Sequence, residues 1–444
     1  MTRASLSAVA VLLASLPLSP ARADVEDYLG LGAEAAAMGN AVVAVPVGYA
    51  SAHYDPAMLA VSRRDPQHAD RRFTELTIGF SYARPVVHAT RFDGMALDAR
   101  APDASILGLG VRFDLGQLFG IEGLVCGLAL STPVTYLFRY HARPDDQPSW
   151  LALTDANLHL SITVGLAWRP LEWLALGAGV RTTFASELYT TASVRTVDTP
   201  IDPETGEPVI DVGTRLGESG GVYGRVLPIV GIAVMPIPEL SIGLVWRAST
   251  LVDDWGWSRV QAVPSIGDLG YVHRFAHYFR PHEVVLGVAV TPVRELSFSV
   301  DLGWEHWADA ISPAYAELGG RFGDILVPAI GVRASPLPWL ELLAGWRFVR
   351  APFRNFGGPT NLLVNDTHHA SIGTAIDVRS LVPDLGFGAV LRASFRLAIL
   401  DEHRETKDWR RFESDGQLAL DPGNPGYVFG GFVPSFQLSF EARW

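Results

Sequence analysis

The last nine residues alternate without a break. Phe436, Leu438, Phe440, Ala442 and Trp444 share one face of an extended chain, and Gln437, Ser439, Glu441 and Arg443 share the other. Residues 296–304 repeat the pattern, with Leu296, Phe298, Val300, Leu302 and Trp304 opposed to Ser297, Ser299, Asp301 and Gly303. Residues 160–168 repeat it again, with Leu160, Ile162, Val164, Leu166 and Trp168 against Ser161, Thr163, Gly165 and Ala167. Alternation alone also suits a two-sheet sandwich. The two faces differ in kind, however: one is bulky throughout, and the other is Gly, Ala and Ser with scattered Arg and Asp. An aromatic residue ending strand after strand has little use in a sandwich core. It is what a lipid-facing band bordered by aromatic girdles requires.

Turn spacing agrees. Residues 169–174, 235–240, 291–296 and 335–340 each read as a short proline-centred connection into a fresh strand, with Pro170, Pro236, Pro292 and Pro336 lying 66, 56 and 44 residues apart. Two more short connections fit at 114–123 and 379–384. The intervening connections, at 85–103, 139–152, 188–223, 250–282, 305–325, 350–368 and 401–432, are long and polar or aromatic. Tight turns at one end and long loops at the other characterise outer-membrane barrels, and six short with seven long connections make 14 strands. These are expected near 75–84, 104–113, 124–138, 153–168, 173–187, 224–234, 239–249, 283–291, 295–304, 326–334, 339–349, 369–378, 385–400 and 433–444. The expected fold is all-β, a transmembrane antiparallel β-barrel of about 14 strands over residues 73–444.

Residues 1–23 read as a signal peptide: Arg3, an apolar stretch from Leu6 to Leu16, then Ala21-Arg22-Ala23 before a mature start at Asp24. No cysteine follows for a lipid anchor, and no run of 18 apolar residues remains for a membrane helix. The net charge of −12 becomes −14 once two arginines leave with the signal. A chain so acidic, with Lys407 its single lysine, offers no footprint for nucleic acid. Its one cysteine, Cys126, excludes a disulfide framework and a thiolate metal cluster. No cofactor or metal is expected; the acidic stretch 188–223 matches no calcium-loop spacing and reads as solvated surface.

A barrel of 14 strands is wider than side chains alone can fill. Residues 24–72, rich in Ala and Gly and without alternation, are the expected plug, with a short helix over 33–38 and a cap at Asp55 followed by Pro56 and Ala57.

The segment Gly30-Leu-Gly-Ala-Glu-Ala-Ala-Ala-Met-Gly39-Asn-Ala-Val-Val-Ala44, with Tyr54-Asp-Pro-Ala57, resembles the plug signature of the FadL/TodX-type outer-membrane transporters of long-chain fatty acids and aromatic hydrocarbons. Residues 300–307 (Val-Asp-Leu-Gly-Trp-Glu-His-Trp), 328–333 and 345–347 extend the likeness along the mature chain. One position departs: Asp55 stands where the family has Asn, which would make a plug latch looser or pH-sensitive. The resemblance implies a monomeric, cofactor-free barrel in the outer membrane of a Gram-negative bacterium. Hydrophobic cargo would be captured among the loops, passed to a lumen pocket and released sideways into the outer-membrane lipid where the third strand kinks inward. Pro133 is the candidate for that kink, a strand end at the rim being the other reading. The strand ending at Trp444 would be read by the barrel assembly machinery.

Loop 250–282 is the expected capture site, with Trp255, Trp257, Tyr271, Phe275, Tyr278 and Phe279; the same residues would equally pack together over the mouth. Inward charges able to meet a carboxylate are Arg181, Arg333 and Arg347, with Arg392 and Arg396, though such residues commonly hold a plug. Trp304 and Trp307 are expected in the outer girdle. An enzyme is disfavoured: His159 and Ser161 share the lumen face, and no nucleophile elbow or zinc-helix motif occurs. A barrel of this type that shuttles or anchors secreted proteins is the alternative function.

Overall fold

Backbone N–H and C=O groups in an apolar medium need protein partners, and alternating strands meet that need by closing on themselves. The first half of the ring is β1 (Glu75–Ala83), β2 (Ala104–Asp114), β3 (Leu124–Pro133), β4 (Ser161–Leu171), β5 (Leu174–Thr196), β6 (Val212–Ile237) and β7 (Leu240–Arg247). The second is β8 (His282–Val293), β9 (Leu296–His306), β10 (Ile325–Leu337), β11 (Leu340–Val349), β12 (Thr367–Asp377), β13 (Gly388–Thr406) and β14 (Gly426–Arg443). Each pairs antiparallel with the next. β14 then pairs with β1, Phe436 facing Tyr82, so the 14-stranded barrel has no free edge. In this computed structural model, residues 25–61, 74–97, 101–134, 149–150, 160–196, 212–261, 268–309, 322–353, 362–382, 384–406 and 425–444 are described, those of 25, 27, 117–118, 149, 183, 185–196, 212–223, 251–261, 268–278 and 362 by backbone alone. The signal-peptide reading and residues 62–72 of the expected plug lie outside these.

The faces fall as the alternation requires. On β4, Val164, Leu166 and Trp168 are exposed outside while Ser161, Thr163 and Ala167 are buried inside. On β9, Val300, Leu302 and Trp304 point out, and Ser299 and Asp301 in. An outer belt of this composition is one that lipid, not water, covers.

The four prolines are not the turns themselves. Each of Pro170, Pro236, Pro292 and Pro336 sits in a strand, and the turns proper are residues 172–173, 238–239, 294–295 and 338–339. At each site the register shifts, two residues standing opposite one. A bulge leaves one residue out of the ladder, and a proline without an N–H loses nothing there.

At the other end, four expected loops contain extended strand. β5 and β6 run on together to Thr196 and from Val212, far beyond the expected ends at 187 and 224. Residues Thr250–Gln261 and Asp268–Arg280 form a hairpin whose first strand lies parallel to β5, Gly256 beside Leu188. β13 and β14 likewise continue past the belt, and the strand Val86–Arg91 adds to β14. The outward apolar face stops where the bilayer stops, so the sequence loses its strand signal while the ladder continues.

Residues 25–61 lie inside the ring. They form α1 (Val25–Leu29), α2 (Ala33–Ala37), α3 (Ser51–Tyr54) and a 3-10 turn, Pro56–Ala60, and nearly all of them are buried. The wall is cut to receive them. A Cβ placed on Gly177 of β5 would stand 2.1 Å from the Ala57 nitrogen, and one on Gly345 of β11 would stand 2.1 Å from the Met38 carbonyl carbon. Backbone meets backbone at both, so neither contact can yield by a rotamer change. Gly177→Val and Gly345→Val are therefore expected to unseat the segment, costing at least the ~1–3 kcal/mol of an overpacked core. Both variants should keep the heat-modifiable mobility of a folded barrel and lose hydrogen-exchange protection over 33–60. Gly386→Ala, where an added Cβ meets nothing within 4 Å, should change neither.

Candidate functional site

Inward-facing arginines hold the lumen segment. Arg181 donates to Glu26 of α1 at 2.7 Å, the two side chains being 1% and 4% exposed, and to the Ser161 hydroxyl at 3.0 Å. Arg333 and Arg392 converge on Glu34 of α2, the latter at 3.2 Å, and Arg392 also meets Glu441 at 2.7 Å. Arg396 donates to the carbonyls of Tyr28 and Ala36, each at 2.8 Å, and to Asn40 Oδ1 at 2.7 Å. Gln437 donates to the carbonyls of Leu29 and Gly30, both at 2.9 Å. Two of the three arginines expected to meet a ligand, Arg181 and Arg333, thus bind the segment instead.

Arg247 does the same work from β7, though the sequence reading passed over it. It donates to the carbonyls of His53 and Tyr54 at 3.1 and 2.5 Å while pairing with Glu283 at 2.7 Å. Its parity with the buried Gly243 and Val245 was the available signal.

Asp55 is the cap its sequence context implies: Oδ1 accepts from the Ala57 N–H at 2.9 Å, and Pro56 opens the turn. Burial pushes its carboxyl well above the ordinary carboxylate range, with the nearby Asp301 adding to the rise, against the Ala57 N–H and Arg247. Asp301 itself accepts from the Val43 N–H at 2.9 Å, pinning the segment at a second point.

Two cavities flank α1. One, about 880 Å³ with its open mouth included, is a cleft lined by Tyr28, Trp150, Trp307, Arg347, Leu363 and His369, among others. The second, about 400 Å³ on the same measure, lies between Glu26, Leu29 and Tyr49 on one side and Gly79, Gly108 and Ser131 of β1–β3 on the other. Tyr28 faces the first and its neighbour Leu29 the second, so α1 is the partition. Burial also raises the Tyr28 phenol, which stays protonated.

The remaining expected residues are distributed unevenly. Arg347 lines the cleft, with Glu305 3.8 Å away. Phe279 is 4% exposed and packs on Trp307 at 5.8 Å, in a cluster with Phe322 and Phe353. Trp307 is not in the outer girdle: at 2% exposed it turns inward, its Nε1 donating to Glu305 at 2.7 Å, whereas Trp304 remains outside at 38%. The 3-10 turn Trp307–Asp309 ends the alternation that would have kept it out. The side chains of Trp255, Trp257, Tyr271, Phe275 and Tyr278 lie outside the described residues. Pro133 is the last residue of β3, inward-facing and paired to Ile106, and the register from Leu124 to that point runs without a shift. The pairing of β3 with β4 is described as far as Ser131, opposite Ser161; the residues that would lie opposite Pro133, within 151–159, lie outside the described residues. Pro133 thus stands at the end of the described strand, with no break in register before it.

Two expectations follow. Arg181→Met takes from the buried Glu26 its arginine partner, which should weaken α1 seating by up to about 3–5 kcal/mol, and Arg181→Met/Glu26→Met should recover most of it; protection factors over 25–31 measure both. For Asp55, a raised folded-state value means the seated segment holds a proton that the free one releases, so seating is strongest in acid and weakens as pH climbs from the ordinary 3.8 through the raised value. Asp55→Asn should flatten that profile over 51–60.

No protein-family model matches the sequence, and no curated protein matches it either. Solved structures do. A Pseudomonas aeruginosa FadL homologue is 13% identical over 97% of this chain and 99% of its own, with a TM-score of 0.53. The CymD monoaromatic hydrocarbon channel is 12% identical over 94% and 98%, at 0.55, and the P. putida toluene transporter TodX 14% identical over 94% and 98%, at 0.54. At such identities the likeness is one of architecture: this chain shares the 14-stranded barrel fold of those structures.

Proposed function

We propose that the protein is a channel in the outer membrane of a Gram-negative bacterium for passive uptake of hydrophobic molecules. The observation that carries this reading is the pair of cavities separated by α1. A filled lumen admits no stream of water or ions, as an open porin would, but a hydrophobic molecule needs only one apolar space after another. Cargo enters the cleft from the long-loop end, passes α1 when its few polar tethers yield, and reaches the cavity behind β1–β3. It leaves sideways there, beside Pro133 at the end of β3. That solved structures of the same architecture include a monoaromatic hydrocarbon channel and a toluene transporter supports the choice of cargo class. In this reading residues 1–23 direct export, residues 24–72 are the plug, the strand ending at Trp444 is recognised by the assembly machinery, and the barrel works as a monomer.

Uptake of labelled oleate and of toluene by cells lacking their own transporter tests it, with and without this protein. Restoration of either supports the reading, and a folded barrel that restores neither refutes it. Gly108→Leu is the variant that probes the exit. An added Cβ at Gly108 has no neighbour closer than 3.8 Å, so the side chain occupies the cavity without distorting the wall. Uptake should fall by at least about tenfold, a barrier increase near 1.4 kcal/mol. Pro133→Val, which returns an N–H at the strand end, should lower it as well.

A further inference from the structure

Buried polar atoms in proteins are nearly always paired, so a cluster of unpaired ones facing one cavity is informative. The cleft has such a cluster. His369 is wholly buried, and among the described residues neither Nδ1 nor Nε2 has a hydrogen-bond partner. The Tyr28 hydroxyl, on a residue 8% exposed, has none. Asn365, 7% exposed, spends its Nδ2 hydrogens on the carbonyls of Asp401 and Phe429, at 2.7 and 3.3 Å, and leaves Oδ1 unanswered. All three residues line the cleft. The rings of Tyr28 and His369 meet edge to face, their centroids 4.9 Å apart, and Asn365 precedes His369 by four residues on the same inward side of the chain.

These atoms form a mixed set. A neutral imidazole gives one donor and one acceptor, a phenol gives one of each, and an amide oxygen only accepts. A hydrocarbon answers none of them. A carboxylate has no hydrogen for Asn365 Oδ1 or the imidazole acceptor, and the cleft already holds Glu283 and Glu305 against Arg280 and Arg347 at 3.4 and 3.8 Å. A hydroxyl group both donates and accepts: its oxygen can take the imidazole and phenol hydrogens and its one hydrogen can go to one of the acceptors, which neither a hydrocarbon nor a carboxylate can match.

Resting on the channel reading above, we propose that this cleft selects hydrophobic molecules bearing one neutral hydroxyl, alcohols or phenols, over the matching hydrocarbons and carboxylates. His369, Tyr28 and Asn365 are the hydroxyl's partners, and the apolar walls take the remainder of the molecule.

Calorimetric titration of the purified full-length barrel in detergent with p-cresol, toluene and p-toluate tests the proposal. p-Cresol should bind about tenfold tighter than either of the others, the gain from one or two neutral hydrogen bonds. Tyr28→Phe, which removes a single oxygen, and His369→Leu should each cut the ratio of p-cresol to toluene affinity by roughly three- to tenfold. Only variants with the heat-modifiable mobility of the parent are compared, and Tyr28→Phe alone suffices for the comparison. Equal binding of p-cresol and toluene, or variants that leave their ratio unmoved, overturns the selectivity while the channel stands. Tightest binding of p-toluate overturns it in favour of charge recognition by the arginines. Absence of binding by all three overturns the channel reading, and this inference with it.

Discussion

Closure of the strand ring is the constraint from which everything else in this protein descends. Inside an apolar belt no water is available to complete a hydrogen bond, so each strand must find a neighbour on both sides. Here that is met with 14 strands, the circuit ending where β14 returns to β1. A ring of that size encloses more room than its own inward side chains occupy. Filling the lumen is therefore a problem that the wall creates, and it is met from both sides. The segment contributes small residues such as Ala35, Ala37 and Ala57, and the wall contributes glycines where backbone approaches backbone.

Charge is the second means of attachment, and its distribution along the segment is uneven. Buried ion pairs add little net stability, because desolvation offsets most of their attraction, but a pair broken by half is costly. They fix position more than they add strength. α2 and the turn around Asp55 have glycine seats as well as charges, as Gly345 under Met38 and Gly177 under Ala57 show. α1 is held chiefly by polar groups at discrete points: Arg181 on Glu26, Arg396 on the Tyr28 carbonyl, Gln437 on the next two. Polar tethers of this kind can be replaced by other polar partners, whereas the wedged part sits where backbone meets backbone and has no room to shift. The element that divides the cavities is thus also the element whose attachment can be exchanged for other polar partners.

Much of this was legible in the residues. Strand number and inward parity followed from a two-residue period imposed by two different solvents, and Asp55-Pro56 announced its own cap. The losses have physical reasons. Residues 188–196 and 212–223 are strand yet carry no lipid face, so the bulky half of the pattern is missing there. Trp307 was assigned outward by extrapolating the alternation of β9 past the turn that ends it. Parity placed Arg181 and Arg333 inside but could not say whether a ligand or the segment would meet them. Arg247 shared the same parity and went unremarked because a single polar residue at the end of an apolar strand has no neighbours in sequence to mark it. Tyr28 lies in a stretch with no period at all, so its convergence with His369 of β12 is a product of closure alone.

That convergence bears on how such a protein discriminates. In an open pore, selectivity comes from bore and from rings of charge acting on hydrated solutes. With the lumen filled, passage depends on successive occupancy of small spaces, and each space imposes its own preference on whatever it receives. Apolar walls distinguish molecules weakly, by a methylene or so of volume, whereas buried polar atoms reject any occupant that leaves them unanswered. The few polar atoms that line the cleft therefore weigh more in discrimination than the larger apolar area around them. Their placement, on α1 and on the wall facing it, couples what is recognised to the helix that must give way. A molecule that engages Tyr28 engages the partition itself.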